Sequence, residues 1–209
     1  ASCLLPQIDL EGAFAMALAA AARATGRRLT VIGSHQRAGL KGNGSGTDEP
    51  ARAARLERMK VLRRQIALTG AAVIVEATDG AALREAVEIF LAMEASGQRG
   101  RAGTAMMMQT RTGTFLRAAT RGLGQGRHCR MVTLMQGEVP MAAALVYESG
   151  SSAWLVDIVS DEAFAHHAPE EFLTLALMER QLRRNRVVMT EQCAPAAQPV
   201  PDRLWPERI

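Results

Sequence analysis

HCRMVTLM (128–135), VPMAAALVYE (139–148) and AWLVDIVS (153–160) are three apolar runs in immediate succession. Gln136, Gly137 and Glu138 lie between the first two runs, with the turn expected at Gln136-Gly137, and SGSS (149–152) lies between the last two. Connections this short join antiparallel neighbours. The stretch therefore predicts a three-stranded antiparallel meander, and the rest of the chain can be placed around it.

A helix and a last strand are predicted after the meander. The helix runs from Pro169 to about Arg184, because proline suits the first helical turn and Glu170 and Glu171 complement the helix dipole. RVVMTEQC (186–193) then has the composition of a strand.

Two helices and a strand are predicted before the glycine-rich stretch at 94–105, which precedes the meander. RAARLERMKVLRRQIAL (52–68) has apolar residues at three- and four-residue steps, which is typical of an amphipathic helix. AAVIVEA (71–77) is a short β-branched run, and a helix capped by Thr78 or Asp79 follows through about Glu94. A further helix at TGTFLRAATRGL (112–123) gives the order β-α-α-β-β-β-α-β from residue 71 onward.

The first forty residues repeat the end of this pattern. CLLPQIDL (3–10) and RRLTVIG (27–33) are predicted strands, on either side of a predicted helix at 12–26. LKGNGSGTDEP (40–50) has the composition of a flexible linker. We therefore predict the back part of one unit at 1–39 (β-α-β), a linker at 40–50 and a complete domain of the same type at 51–209.

Composition indicates a globular chain without selecting its ligand. Of 209 residues, 48% are hydrophobic and 22% charged, and the net charge of +4 suits an anionic small molecule as well as nucleic acid. Three widely spaced cysteines and four histidines fit neither a disulfide framework nor a metal site, so we predict no metal and a cytoplasmic location. The apolar run AFAMALAAAA (13–22) is too short to span a bilayer, and no membrane association is predicted.

EASGQRGRAGTA (94–105) has three glycines and two arginines, like a phosphate-binding loop. Such loops are weak evidence individually. Together with KVLRRQ (60–65), DEAFAHHAPEEFL (161–173) and CAPAAQPVPDRLWPER (193–208), and with the order of elements, the stretch resembles the GNAT acyltransferase superfamily. The branch it most resembles is shared by FemAB-type aminoacyl transferases and by acetyltransferases associated with cellulose and exopolysaccharide synthesis.

The resemblance implies a mixed α/β GNAT-like fold, with the antiparallel meander joined to a splayed pair of parallel strands. It also implies a partial second unit at the N-terminus, since members of this branch often carry two GNAT-like halves. Acetyl-coenzyme A, or another acyl-coenzyme A, would then lie where strands 153–160 and 186–193 separate, near Ile158, Val159 and Ser160.

The phosphates of the cofactor would lie at the start of the helix after AHHAPEE (165–171), near His166, His167 and Ala168. Free N–H groups and the helix dipole attract anions there. The loop departs from the family pattern, because Pro169 lacks an N–H group and Glu170 replaces a usual glycine. The alternative is that both histidines are solvated residues of a helix cap.

In the family, the stretch matching 94–105 lines the acceptor side of the cleft rather than the phosphates. Gln98, Arg99 and Thr104 are therefore candidate substrate-binding residues, although Gln98 and Arg99 stand where the branch has Trp and Lys. The alternative is an ordinary surface loop between two helices.

Direct acyl transfer requires a base to take a proton from the amine. The candidates are Asp157 and Glu191, each of which could instead be a paired strand carboxylate. Asp157 alternates with Val156 and Ile158, so it is predicted to face away from both. Cys129 and Cys193 are interpreted as structural thiols.

The predicted function is transfer of an acetyl or other acyl group from acyl-coenzyme A to an amine on a small molecule or sugar. One alternative is FemAB-like transfer from aminoacyl-tRNA, which is the sole nucleic acid that the sequence favours. Another is an inactive binding or assembly module. A homodimer remains an open alternative for its assembly.

Overall fold

The computed structural model describes residues 3–5, 8–34, 36–41, 49–67, 70–183, 187–193, 204–205 and 207–208. The chain divides into two compact units, Ala1–His35 and Gln36–Ile209. No helix among the described residues is both long and apolar enough to cross a membrane.

The first unit contains the predicted helix but neither of the predicted strands. The helix, α1, spans Ala13–Ala24. Residues 3–5, 8–10 and 27–33 are not in strands, so those two predictions are wrong for the described positions. A strand requires a partner that accepts its ladder hydrogen bonds, and none is paired with these segments. The tandem organisation stays a prediction.

The second unit is a mixed α/β domain that contains all the elements predicted from residue 52 onward. Its helices are α2 (Glu49–Ala67), α3 (Gly80–Ser96), α4 (Gln98–Arg101), α5 (Thr110–Gln125) and α6 (Pro169–Leu182). Short 3₁₀ turns lie at Met106–Met108 and Glu162–His167. Its strands are β1 (Ala38–Lys41), β2 (Ala72–Ala77), β3 (Cys129–Gln136), β4 (Val139–Ser149), β5 (Ser152–Ser160), β6 (Met189–Gln192) and β7 (Glu207–Arg208).

These strands form one sheet in the order β2-β3-β4-β5-β6-β1-β7. The predicted antiparallel meander is confirmed at β3-β4-β5. The pair β5–β6 is parallel, and β1 lies antiparallel to β6. The first two residues of the predicted linker belong to β1 and the last two to α2, while 42–48 lie outside the described residues.

The two faces of the sheet are covered by different helices. Leu62 of α2 and Leu173 of α6 belong to one apolar cluster, which we call the α2–α6 face. Phe90 of α3 and Leu116 of α5 belong to the other, the α3–α5 face. The strand that carries the candidate site, β5, contributes side chains to both clusters.

Parallel pairing between β5 and β6 ends before β5 does. The last paired residues in the described part of the chain are Leu155 and Gln192, and the N–H of Cys193 donates to the carbonyl of Leu155 at 2.9 Å. From there β5 continues to Ser160 beside β4. The second half of β5 therefore has no β6 partner among the described residues.

A β-bulge lies where this half of β5 begins. Leu145 and Val146 of β4 pair with Asp157 and Leu155, so Val156 is an extra residue. Val156 packs on the α3–α5 face and Ile158 on the α2–α6 face.

Candidate functional site

Glu94 joins the end of α3 to the segment that follows it. Its carboxylate is 4% exposed and accepts hydrogen bonds from Nη1 of Arg99 and from the N–H of Met106, both at 2.9 Å. A buried carboxylate with two charge-assisted or backbone partners fixes the groups that it bonds. Glu94 therefore holds α4 and the turn at Met106 against the last turn of α3.

Arg99 also pairs with Asp157, the first candidate base. Its Nη1 atom donates to Oδ2 of Asp157, and its Nη2 atom donates to Oδ1 at 3.1 Å. The N–H of Ile158 donates to Oδ1 at 2.9 Å. The pairing with Asp157 is the main cause that raises the pKa of Arg99, against the opposing effect of burial. Arg99 and Asp157 thus form one ionised unit.

The bulge explains how Asp157 reaches Arg99. The prediction that Asp157 faces away from both neighbours is half right. It is opposite to Ile158, but it points to the α3–α5 side, the same side as Val156. A bulge places two successive residues against one partner and re-aims a side chain, which simple alternation does not foresee.

A second ion pair ties α4 to the turn after β5. Arg101 donates to both carboxylate oxygens of Glu162, at 2.9 and 2.7 Å. Both side chains are exposed, so this pair is screened by solvent and contributes little. The segment predicted to bind the acceptor therefore lies across the end of β5.

The other two predicted substrate residues have different surroundings. The hydroxyl of Thr104 donates to the carbonyl of Arg99 at 3.3 Å, and the N–H of Thr104 donates to the same carbonyl at 2.9 Å. Thr104 thereby closes the turn after α4. The side chain of Gln98 is exposed.

Glycine at position 100 is required by the close approach of α4 to α3. A Cβ atom there would overlap the carbonyl oxygen of Ala95 and lie 2.6 Å from its carbonyl carbon. We expect Gly100→Ala to lower the free energy of unfolding by about 1–3 kcal/mol, because backbone must shift. Denaturant unfolding measures this.

Gly122→Ala is the matched control. Gly122 lies inside α5, and nothing would meet a Cβ atom there within 4 Å. This change is expected to raise stability by roughly 0.5–1 kcal/mol through helix propensity. Equal effects at the two positions would contradict the packing of α4 on α3.

Glu191, the second candidate base, is elsewhere. It lies on β6 level with Trp154 of β5, and its carboxylate pairs with Nη2 of Arg37 at 3.6 Å. The structure therefore does not bring Glu191 to Arg99, whereas it does bring Asp157.

The three residues of β5 that are predicted to bind the cofactor differ in the exposure of their side chains. Ile158 and Val159 are 5% and 8% exposed, because their side chains fill the two core clusters. Backbone groups of successive strand residues point to opposite edges, so Val159, which pairs with Ala143, directs its backbone to β4 and Ile158 directs its backbone to the β6 side. Ser160 is half-buried at the end of the strand.

The start of α6 is shaped by the 3₁₀ turn at Glu162–His167. Ala168 follows it in the left-handed conformation, with φ 47° and ψ 53°. His167 is buried and its ring centroid lies 3.8 Å from that of exposed His166. Burial, and then the neighbouring His166, lower the pKa of His167. His167 is thus neutral near pH 7 and does not add positive charge to the helix start.

The two carboxylates in the first turn of α6 have different surroundings. Glu171 accepts two hydrogen bonds from Arg58 of α2, both at 2.8 Å. Burial raises the pKa of Glu170, Asp157 raises it further, and Arg99 opposes the rise. N–H groups of the first turn lack intrahelical acceptors, so the helix start fits an anion.

Cysteine and tyrosine side chains in this unit are not activated. Burial raises the pKa of Cys129 to about 12 and, as the main cause, that of Cys193 to about 11. Burial is also the main cause that raises the pKa of Tyr147 to about 12. The thiols therefore stay protonated near neutral pH. Among the described residues, no group of three or more His, Cys, Asp or Glu side chains could hold a metal ion.

Sequence reasoning did not identify Glu94 as a functional residue. A signal was present, because Glu94 continues the apolar stripe of Leu83, Val87, Phe90 and Leu91 at helical spacing. A carboxylate on the buried face of a helix indicates a specific partner. The pairing of Glu171 with Arg58 had no comparable local signal.

Comparison with solved structures finds likenesses at low identity. A possible acetyltransferase from Clostridium difficile 630 is 10% identical, with 61% of this chain and 82% of that chain covered and a TM-score of 0.47. A ribosomal-protein-alanine N-acetyltransferase from Brucella melitensis biovar Abortus 2308 is 13% identical over 65% and 88%, with a TM-score of 0.43. A tandem GNAT protein from the clavulanic acid biosynthesis pathway is 18% identical over 97% and 57%, with a TM-score of 0.47.

No curated protein matches the sequence. The model of the acetyltransferase (GNAT) domain family matches residues 54–189, which is more than half of the chain. That range contains α3, α4, the meander and the start of α6, and so every residue of the Arg99–Asp157 arrangement. The chain therefore belongs to the acetyltransferase (GNAT) domain family.

Proposed function

We propose that this chain is an N-acyltransferase that moves an acetyl or other acyl group from acyl-coenzyme A to an amine by direct transfer. The family implies an acyl-coenzyme A co-substrate. The observation that carries the proposal is the stretch of β5 from Val156 to Ser160, which has no β6 partner among the described residues and leads towards the N-terminus of α6.

The described residues fit such a co-substrate. The stretch of β5 that has no β6 partner among the described residues suits an extended pantetheine arm, and the N–H groups of Glu170 and Glu171 at the start of α6 suit phosphate. The charge of Glu171 is balanced by its pairing with Arg58. The residues expected to hold the co-substrate are Ser160, His166 and Ala168, together with the stretch of β5 at Ile158 and Val159.

Acyl-coenzyme A supplies a thioester, so that a C–N bond forms to the amine while the C–S bond breaks and the thiol leaves. The role we assign to Asp157 is to orient the amine and receive its proton. Gln98, Arg99 and Thr104 belong to the acceptor side, because α4 lies across the end of β5 next to Asp157.

The test is product formation from acetyl-coenzyme A with a panel of amines that includes amino sugars, amino acids and simple alkylamines. Mass spectrometry of the acceptors is expected to show one acetylated amine together with loss of acetyl-coenzyme A. Absence of product from every amine, in protein that binds acetyl-coenzyme A, would contradict the proposal.

One observation favours a second function, an inactive binding or assembly module. Asp157 is fully engaged by Arg99 and by the N–H of Ile158, so in this arrangement it is closed to a substrate. An aminoacyl-tRNA donor, an acceptor amine on a sugar, a cytoplasmic location and a homodimer stay predictions.

A further inference from the structure

Both carboxylate oxygens of Asp157 are engaged by groups of the protein. Oδ1 accepts from Nη2 of Arg99 at 3.1 Å and from the N–H of Ile158 at 2.9 Å, and Oδ2 accepts from Nη1 of Arg99. Only 8% of the Asp157 side chain is exposed. With both oxygens engaged and so little of the side chain exposed, Asp157 gives an amine no direct approach from solvent, and we take its release by Arg99 as the step that catalysis requires.

Arg99 can leave this cluster more easily than Glu94 or Asp157, because its side chain is the most exposed of the three. Its side chain is 43% exposed, whereas those of Glu94 and Asp157 are 1% and 8% exposed. The helix that carries it, α4, has no buried residue. Gly97 precedes this helix and Gly103, with φ +70°, follows it. Movement of α4 therefore needs no unpacking of either core cluster.

The second attachment of α4 does not prevent such a movement. Arg101 and Glu162 are 61% and 53% exposed, so their ion pair is weak in water and screened by salt. The contacts of Arg99 with Glu94 and Asp157 are then the stronger of the two side-chain attachments of this segment, beside the packing of Gly100 on Ala95.

The negative charge of the buried carboxylates determines which groups can replace the guanidinium of Arg99. When the guanidinium leaves, the buried carboxylates of Glu94 and Asp157 both lose the cation that they share, and this loss is strongly unfavourable. The same guanidinium also acts on Glu170, because Arg99 opposes the rise of the pKa of Glu170. An incoming ammonium group restores the lost charge, whereas a neutral hydroxyl or amide does not.

We propose that Arg99 is an autoinhibitory gate over Asp157, which a cationic amine opens by taking the place of the guanidinium. The gate selects acceptors that are protonated in solution over neutral ones. This inference rests on the proposed function only for the base role of Asp157. The displacement itself can be measured without any acyl transfer.

The test compares Arg99→Gln with Arg101→Gln. Both arginines lie on α4 and both pair with a carboxylate through two nitrogens, but the partner of Arg101 is exposed. The probes are millimolar guanidinium chloride and urea, its neutral isostere, with sodium chloride to hold ionic strength. The reporters are the amide signals of Ile158, which bonds to Asp157, and of Met106, which bonds to Glu94.

In Arg99→Gln, guanidinium is expected to shift both amide signals saturably, with an apparent affinity about tenfold or more above that in wild type and in Arg101→Gln. Urea is expected to shift neither. An equal response in the three proteins, or a response of Arg99→Gln to urea, would overturn the gate.

A second variant covers the case in which Arg99→Gln does not fold. Arg99→Gln with Glu94→Gln removes one buried charge along with the cation. Guanidinium is then expected to shift Ile158, beside the remaining carboxylate, more than Met106. No shift of Ile158 in this variant would also overturn the gate.

The two experiments distinguish a failure of the gate from a failure of the proposed function. The expected guanidinium response without any acylated product would contradict the acyltransferase function and support the gate. Product formation without that response would contradict the gate and support the acyltransferase function.

Discussion

Replacing Arg130 with methionine is expected to lower the free energy of unfolding by about 3–5 kcal/mol, the loss typical when one partner of a buried ion pair is removed. Arg130 lies on β3 and is 4% exposed. Its Nη2 atom is 3.0 Å from both Oε1 of Glu148 and Oε1 of Gln181, and its Nη1 atom is 3.4 Å from Oε1 of Glu76. Methionine has a similar length but leaves Glu148 buried without this cation. Denaturant unfolding gives the difference.

Two controls distinguish the loss of this charge from a general effect. Arg117→Met breaks an equally well-formed pair with Glu88, at 2.6 and 2.8 Å, on the exposed surface and should change stability little. Arg130→Met combined with Glu148→Leu removes both charges and should recover a large part of the loss. A double variant as unstable as the sum of the single ones would contradict the account.

Replacing Asp157 with asparagine is expected to lower kcat about 10²–10⁴-fold, the usual contribution of a positioned general base. Asparagine keeps the shape of the side chain and can still accept the N–H of Ile158, but it does not take a proton. The affinity for acetyl-coenzyme A should stay close to that of wild type, because this co-substrate is expected along the backbone of β5. Steady-state kinetics, with binding measured separately, test both parts.

Glu191→Gln is the comparison for this experiment. Glu191 lies on β6, where it pairs with Arg37, and it is not brought to Arg99. Its replacement should leave kcat nearly unchanged. A large loss in Glu191→Gln with none in Asp157→Asn would reverse the assignment of the base.

The elements of the second unit were predictable because local rules determine them. The two-residue turn at Gly137-Glu138 forces antiparallel neighbours, and the three- and four-residue spacing in α2 and α3 specifies helices. The strands proposed at 3–10 and 27–33 are wrong at the described positions, because composition does not supply a pairing partner. The strand that does pair, Ala38–Lys41, has only four residues and no alternating pattern.

The site was predictable only in part. The glycine-rich stretch placed Arg99 near an acceptor, but its contact with Asp157 joins residues 58 positions apart. Such a contact depends on the bulge at Val156, which no spacing in the sequence indicates. The same limit applies to Glu171, whose charge is neutralised from α2 by Arg58.

The open edge of β5 and the start of α6 as an acyl-coenzyme A site are tested most directly by calorimetric titration of acetyl-coenzyme A, with Ala168→Asp and Ala168→Asn as a matched pair. Both side chains tolerate the left-handed conformation of Ala168, and they differ by one negative charge at the helix start. The account predicts saturable binding to wild type at micromolar affinity, about −8 kcal/mol. It also predicts similar binding to Ala168→Asn and binding weakened about tenfold by Ala168→Asp. No heat of binding at millimolar concentration, or equal binding by the two variants, would contradict it.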